Sequence, residues 1–236
     1  MAASEATVAA ARCTGLAVDY RTAAGVVHAL QDVDASFGRG QLSVVAGPSG
    51  SGKSSLLRVL AGLQHPRAGT VEIGDADVTR LRPRLLRRLR RRTIGMVLQD
   101  PSDNLVGYLP AIEQVRLAAA LRGVDPGETA SLLDTTGLSD RAASYPHELS
   151  GGEQQRVAFA AAAIGPPTLL LADEPTAELD AVAGARLVEA MADLVRRGAT
   201  LVVTSHDPAV IAAADHVVAL RDGRVEPGGV GVRERP

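Results

Sequence analysis

An α/β fold is predicted, with a mainly parallel sheet, an N-terminal antiparallel β edge and an inserted helical subdomain. Three observations point to it. Short β-branched and aliphatic runs at 42–46, 93–98, 168–172, 200–204 and 217–220 are continuous, without the alternation of a half-exposed sheet. Such runs suit strands buried on both faces. Helix-like segments at 53–61, 150–164 and 182–197 separate them, the alternation expected of parallel strands with crossover helices. Between 100 and 164 strand character gives way to helical stretches punctuated by glycine and proline.

Taken in chain order, the first forty residues, with Gly25 and Gly38-Arg39-Gly40 as turn signals, read as antiparallel strands at the edge. The run at 42–46 is the first buried strand and 53–61 the helix that follows it. Residues 13–99 and 165–225 form the α/β core, 100–164 the helical insertion, and 1–12 and 226–236 flexible ends of one domain covering 1–236. With 236 residues and 46% hydrophobic content, one such domain can bury a full core.

Composition excludes several classes of function. Lys+Arg 25 against Asp+Glu 27 leaves a net charge of −2, so the overall charge gives no reason to expect nucleic acid or a membrane surface. No apolar stretch approaches the ~18 residues of a membrane span, so at a membrane another chain must do the crossing. The N-terminus carries Glu5 where a signal peptide wants positive charge and reads as a cytoplasmic terminus. Cys13 is the only cysteine, which rules out an intrachain disulfide or a cysteine metal cluster. Among the 25 basic residues Lys53 is the only lysine, in a chain that uses arginine everywhere else. A position that keeps lysine under that bias is a candidate for chemistry needing a compact ammonium.

Lys53 stands in Gly47-Pro48-Ser49-Gly50-Ser51-Gly52-Lys53-Ser54, a G-x-x-x-x-G-K-[ST] sequence between a buried strand and a helix, which is the context a phosphate loop requires. Gly47, Gly50 and Gly52 let the backbone wrap a phosphate closely. Amides and the helix N-terminus supply positive potential to which Ser49, Ser51 and Ser55 add hydroxyls; Lys53 reaches the β/γ-phosphates and Ser54 offers its hydroxyl to Mg²⁺. The fold class is thereby narrowed to a phosphate-loop NTPase core. Further on, Leu169-Leu170-Leu171-Ala172 runs into Asp173-Glu174. Carboxylates at the C-terminal end of a buried strand lie where ligands gather in such sheets. Alone the pair suits a helix N-cap region; beside a phosphate loop, Asp173 can hold Mg²⁺ and Glu174 can polarise a water.

Leu149-Ser150-Gly151-Gly152-Glu153-Gln154 opens the helix at 150–164. Ser150 and Glu153 have the spacing of a capping box, and Ser150 with two glycines at a helix N-terminus makes a second anion site. The segment resembles the signature motif of ATP-binding cassette (ABC) ATPases, and the likeness extends in family order from about residue 16 to 225. That resemblance implies ATP as substrate with Mg²⁺, and a signature Ser150, Gly151 and Gly152 that contacts the γ-phosphate held by a second cassette, expected to be an identical chain arranged head-to-tail. It also implies roles for Gln99 as the Q-loop glutamine at Mg²⁺ and the water, His206 as the switch histidine, Asp180 of Ala177-Glu178-Leu179-Asp180 as the dimer-contacting carboxylate, and Tyr20 as the ring on adenine. Such a chain would power a separately encoded membrane permease from the cytoplasmic face of the cell membrane. The family also contains non-transport ATPases, such as those of iron-sulfur cluster assembly, acting on a soluble complex.

The segment 169–176 and the Glu153 signature resemble the lipoprotein-releasing and macrolide-efflux branch. That branch has an aromatic two residues after the Q-loop glutamine; here Gln99-Asp100-Pro101 departs from it. Finally, Arg80, Arg82, Arg84, Arg87, Arg88, Arg90, Arg91 and Arg92 form a basic stretch around Pro83. A solvated helix in an arginine-biased chain is favoured over contact with lipid head groups or a permease loop, and no aromatic platform accompanies it for nucleic acid.

Overall fold

The computed structural model describes residues 9–23, 25–165 and 167–232. β1 (Ala9–Thr22) and β2 (Gly25–Gly38) form a long antiparallel pair, followed by β3 (Leu42–Ala46) and α1 (Lys53–Leu60). Next come β4 (Ala68–Ile73), β5 (Ala76–Asp77), α2 (Pro83–Thr93) and β6 (Ile94–Val97). The insertion holds α3 (Ala111–Arg122), α4 (Thr129–Thr135) and α5 (Gly151–Ala163), joined through short 3₁₀ turns. β7 (Leu169–Asp173), α6 (Ala181–Arg196), β8 (Leu201–Ser205), α7 (Pro208–Ala213), β9 (His216–Arg221) and β10 (Arg224–Val232) complete the order.

The predicted buried runs become β3, β6, β7, β8 and β9 of a six-stranded sheet ordered β10-β9-β3-β8-β7-β6, parallel except for β10. Every residue of β7 and β8 is buried. Successive side chains point to opposite faces of a strand. Leu170 and Ala172 therefore join Phe159 of α5 and Leu187 and Met191 of α6 on one face. Leu169 and Leu171 join Leu56, Leu57 and Leu60 of α1, with Phe37, Leu16 and Val71, on the other. Each leucine so buried contributes about 1.5–3 kcal/mol of transfer free energy, which is why these runs carry no polar alternation.

The N-terminal strands are antiparallel as predicted, but they do not extend the parallel sheet. They build a separate four-stranded sheet, β2-β1-β4-β5, in which Ala11 pairs with Ile73 and Cys13 with Val71. Residues 68–77 carry no strand pattern in the sequence, because β4 is half exposed and its partner lies more than fifty residues upstream. Of the two ends, residues 9–12 belong to β1, with Ala10 and Ala11 buried, and β10 continues through Val232; the remainder of both ends, expected to be flexible, lies outside the described residues. Cys13 is buried on β1, and burial, reinforced by the Asp34 charge, pushes its thiol up to about 12.

The arginine-rich stretch is α2, anchored by Leu86 and by Arg90 Nη1, which donates to the Gly62 carbonyl at 3.0 Å. Arg84, Arg87, Arg88, Arg91 and Arg92 are exposed on it. In the insertion, Val115 and Ala119 of α3 and Leu132 and Leu133 of α4 pack with Val157 and Phe159 of α5. Among the described residues no helix is long and apolar enough to cross a membrane.

Candidate active site

Residues 47–52 turn from the C-terminal end of β3 into α1. A Cβ on Gly47 would sit 2.1 Å from the Leu220 carbonyl oxygen, and one on Gly52 2.4 Å from that of Ala29. Gly52 also holds φ 103° at the N-cap of α1, a left-handed backbone that only glycine adopts cheaply. No side chain caps α1, so its first-turn amides are left to an anion. Ser51 Oγ is buried without a hydrogen-bond partner, a further free polar group in the loop. Lys53 is 7% exposed. Its ammonium donates to the carbonyls of Gly47 at 2.8 Å and Pro48 at 3.0 Å and lies 3.4 Å from Glu174 Oε1.

β7 and β8 bring the carboxylates to the same place. Asp173, the last residue of β7, accepts on Oδ1 from Ser54 Oγ at 3.0 Å and from Thr204 Oγ1 at 2.6 Å. Glu174 follows with φ 45°, a conformation a non-glycine residue keeps only where its surroundings hold it. Its Oε2 is 3.0 Å from Nδ1 of His206, whose side chain is 71% exposed. Glu174 thus joins an almost buried ammonium to a solvent-facing imidazole.

Gln99 stands exposed just beyond β6, at the rim. The Tyr20 hydroxyl donates to Gln64 Oε1 at 2.6 Å and lies 3.1 Å from Ser55 Oγ, which ties β1 to the start of α1. Tyr20, Ser49, Gly50, Gly52, Lys53, Ser54, Ser55, Gln99, Glu174 and His206 all line one open cleft of about 740 Å³. Asp173 faces an adjoining cleft with Ser54, Gln99 and Gly151. Ser150, Gly152 and Asp180 line neither.

Ser150 is the N-cap of α5, accepting from Glu153 N at 3.2 Å while Glu153 Oε2 accepts from Ser150 N at 2.9 Å: the predicted capping box. Asp180 caps α6 by accepting from Ala183 N at 2.8 Å. A Cβ on Gly152 would sit 2.8 Å from Leu179 Cδ2, so the signature and the segment before α6 lie against each other. Thr204 was missed from the sequence. The available signal was a threonine inside a fully buried strand, where a hydroxyl requires a partner.

The strand-loop-helix cradle, the two carboxylates and the separate α5 N-terminus define a phosphate-loop nucleotidase with a cassette's insertion. The ABC transporter family model matches residues 30–177. An uncharacterized ABC transporter ATP-binding protein of Thermotoga maritima is 41% identical over 204 residues, covering 85% of this chain and 86% of that protein. The macrolide export ATP-binding/permease protein MacB 1/2 of Paracoccus denitrificans is 37% identical over 218 residues, 91% of this chain and 32% of that protein. The chain therefore spans about a third of the length of the MacB relatives it matches. The dimeric post-hydrolysis structure of the ATP-binding cassette MJ0796 bound to ADP and Pi superposes with a TM-score of 0.85 at 32% identity, covering 92% of this chain and 97% of that one. This chain belongs to the ABC transporter family and is an ATPase cassette of it, akin to the MacB-type cassettes.

Proposed function

We propose that the chain binds and hydrolyses ATP as half of a head-to-tail pair of identical cassettes, and that closure and opening of the pair drive a separately encoded membrane permease from the cytoplasmic face. One observation carries this reading. Glu174, held between Lys53 and His206, sits at the mouth of the phosphate loop, while Ser150 at the α5 N-terminus does not line that cleft and Gly151 lines only the adjoining one. A site with its anion-binding helix outside its own cleft calls for a second protomer to supply one, and the MJ0796 cassette is described as dimeric.

In the proposed mechanism Lys53 and the α1 amides hold the β- and γ-phosphates, and Tyr20 offers its ring to the base. Ser54, Asp173 and Gln99 present hydroxyl, carboxylate and amide oxygens, a donor set that suits Mg²⁺ completed by phosphate and water. Bound there, Mg²⁺ would neutralise charge on the phosphates. Glu174 takes the proton of the attacking water, and His206 fixes that carboxylate. Ser150, Gly151 and Gly152 of the second copy grip the γ-phosphate, with Asp180 near the join between copies.

Glu174→Gln tests this. The amide keeps shape and a hydrogen-bonding oxygen but cannot accept the water's proton, so hydrolysis should fall by about 100-fold or more. ATP should still bind, and binding energy shared between two chains should hold them together. Light scattering should therefore report a dimer with ATP and a monomer with ADP. A variant that stays monomeric in saturating ATP, alone and with its permease, overturns the shared site.

A further inference from the structure

Thr204 lies in β8, where all five side chains are buried, and is itself 0% exposed. A hydroxyl in such a place must find its partners inside the protein. It finds two. Thr204 Oγ1 is 2.6 Å from Asp173 Oδ1 and 2.9 Å from the Glu174 amide nitrogen. A hydroxyl has one proton to give, and an amide N–H can only donate. Thr204 therefore donates to the carboxylate and accepts from the backbone of the next residue. The same amide reaches the Thr204 carbonyl at 3.1 Å, so the residue holds Glu174 by side chain and backbone together.

We propose that Thr204 is a positioning residue of the ATPase site, its hydroxyl locking the Asp173 carboxylate and the Glu174 backbone into one unit. This rests on the function proposed above. Asp173 Oδ1 takes both available hydroxyls, Thr204 from behind in β8 and Ser54 from α1. Ser54 has a second duty if it ligates Mg²⁺, since its oxygen lone pair would then face the ion while its proton stays directed at Asp173. Thr204 has no other duty and remains as the fixed tether. Its second bond secures Glu174 at φ 45°, the backbone turn from which the side chain reaches both Lys53 and His206. One hydroxyl thus sets the metal-side carboxylate and the water-side carboxylate relative to each other. Neither the phosphate loop nor the signature segment makes that link.

The full chain with Thr204→Val, which keeps volume and removes the hydroxyl, is the test, beside Thr204→Ser, which keeps the hydroxyl. Fluorescent MANT-ATP is titrated in EDTA and across Mg²⁺ concentrations, with ATP turnover and thermal midpoints measured on the same preparations. Affinity in EDTA should match wild type in both variants, because the phosphate loop is untouched. Thr204→Val should need about tenfold more Mg²⁺ and lose about tenfold in kcat at unchanged KM for ATP, the size typical of losing a group behind a metal ligand. Thr204→Ser should restore both. If the valine variant does not fold, Thr204→Ala against Thr204→Ser gives the same contrast. Wild-type Mg²⁺ dependence and kcat in the hydroxyl-free variant overturn the proposal, as does a serine variant impaired equally, which would make the role one of packing. A wild-type chain that binds no MANT-ATP in either condition overturns the nucleotide function along with it; one that binds and hydrolyses while Thr204→Val behaves identically overturns Thr204 alone.

Discussion

Lys53 is the residue at which a general compositional bias yields to chemistry. Its buried ammonium donates to two loop carbonyls, from Gly47 and Pro48, and only 7% of the residue is exposed. A guanidinium is planar, broader and fixed in its donor directions, and cannot replace a compact ammonium that shares donors between carbonyls and a phosphate. Lys53→Arg should fold and keep its thermal midpoint while ATP turnover drops by about 100-fold, the scale of losing one charge-stabilising donor; turnover near wild type would refute it. The lone lysine made this residue legible in the sequence. For Thr204 the sequence signalled only that a buried hydroxyl needs a partner; which partner, Asp173 and Glu174 at the end of the neighbouring strand, was not legible.

The helix start proposed to grip phosphate is first of all a helix cap. Ser150 and Glu153 cap α5 reciprocally, satisfying amides the helix would otherwise leave open. Ser150→Ala should therefore lower stability by about 1 kcal/mol without nucleotide, measured by denaturant or thermal unfolding. The Ser150 backbone N–H holds the Glu153 carboxyl below its ordinary value of 4.5, helped by the Ser150 hydroxyl and Arg141 and opposed by partial burial. A depressed folded value means that the stabilisation is complete above 4.5 and is lost as pH falls through that lower value. The gap in thermal midpoint between wild type and Glu153→Ala should be widest at neutral pH and close in acid; a gap that widens in acid would contradict the cap. At this scale β3, β7 and β8 were readable because burial on both faces leaves mainly apolar and β-branched residues. β4 and β5 were not, since partly exposed strands with few apolar residues have little pattern of their own.

For the whole molecule, the decisive question is how two cassettes meet. In a head-to-tail pair each site takes its phosphate loop from one chain and its signature from the other. Lys53→Arg spoils a loop and Ser150→Phe spoils a signature, so either variant alone loses both sites. Mixed, the two variants should regain ATP turnover, since the loop of the Ser150→Phe chain meets the intact signature of the Lys53→Arg chain. No recovery on mixing, in a mixture shown to contain mixed dimers, would exclude this arrangement.

What the sequence by itself determined was the local chemistry: the glycine-built phosphate loop, the buried strand ending in Asp173-Glu174, and the capped helix start at Ser150. Each is written within a few neighbouring residues, because close backbone approach, two-faced burial and helix capping are all short-range requirements. The tertiary structure alone decided that Ser54 meets Asp173 across 119 residues of chain, that Thr204 bonds both the Asp173 carboxylate and the Glu174 backbone amide, and that β1 pairs with β4 in a sheet of its own. Those contacts follow from strand order and register, and strand order is a property of the packed chain that no short window of residues encodes.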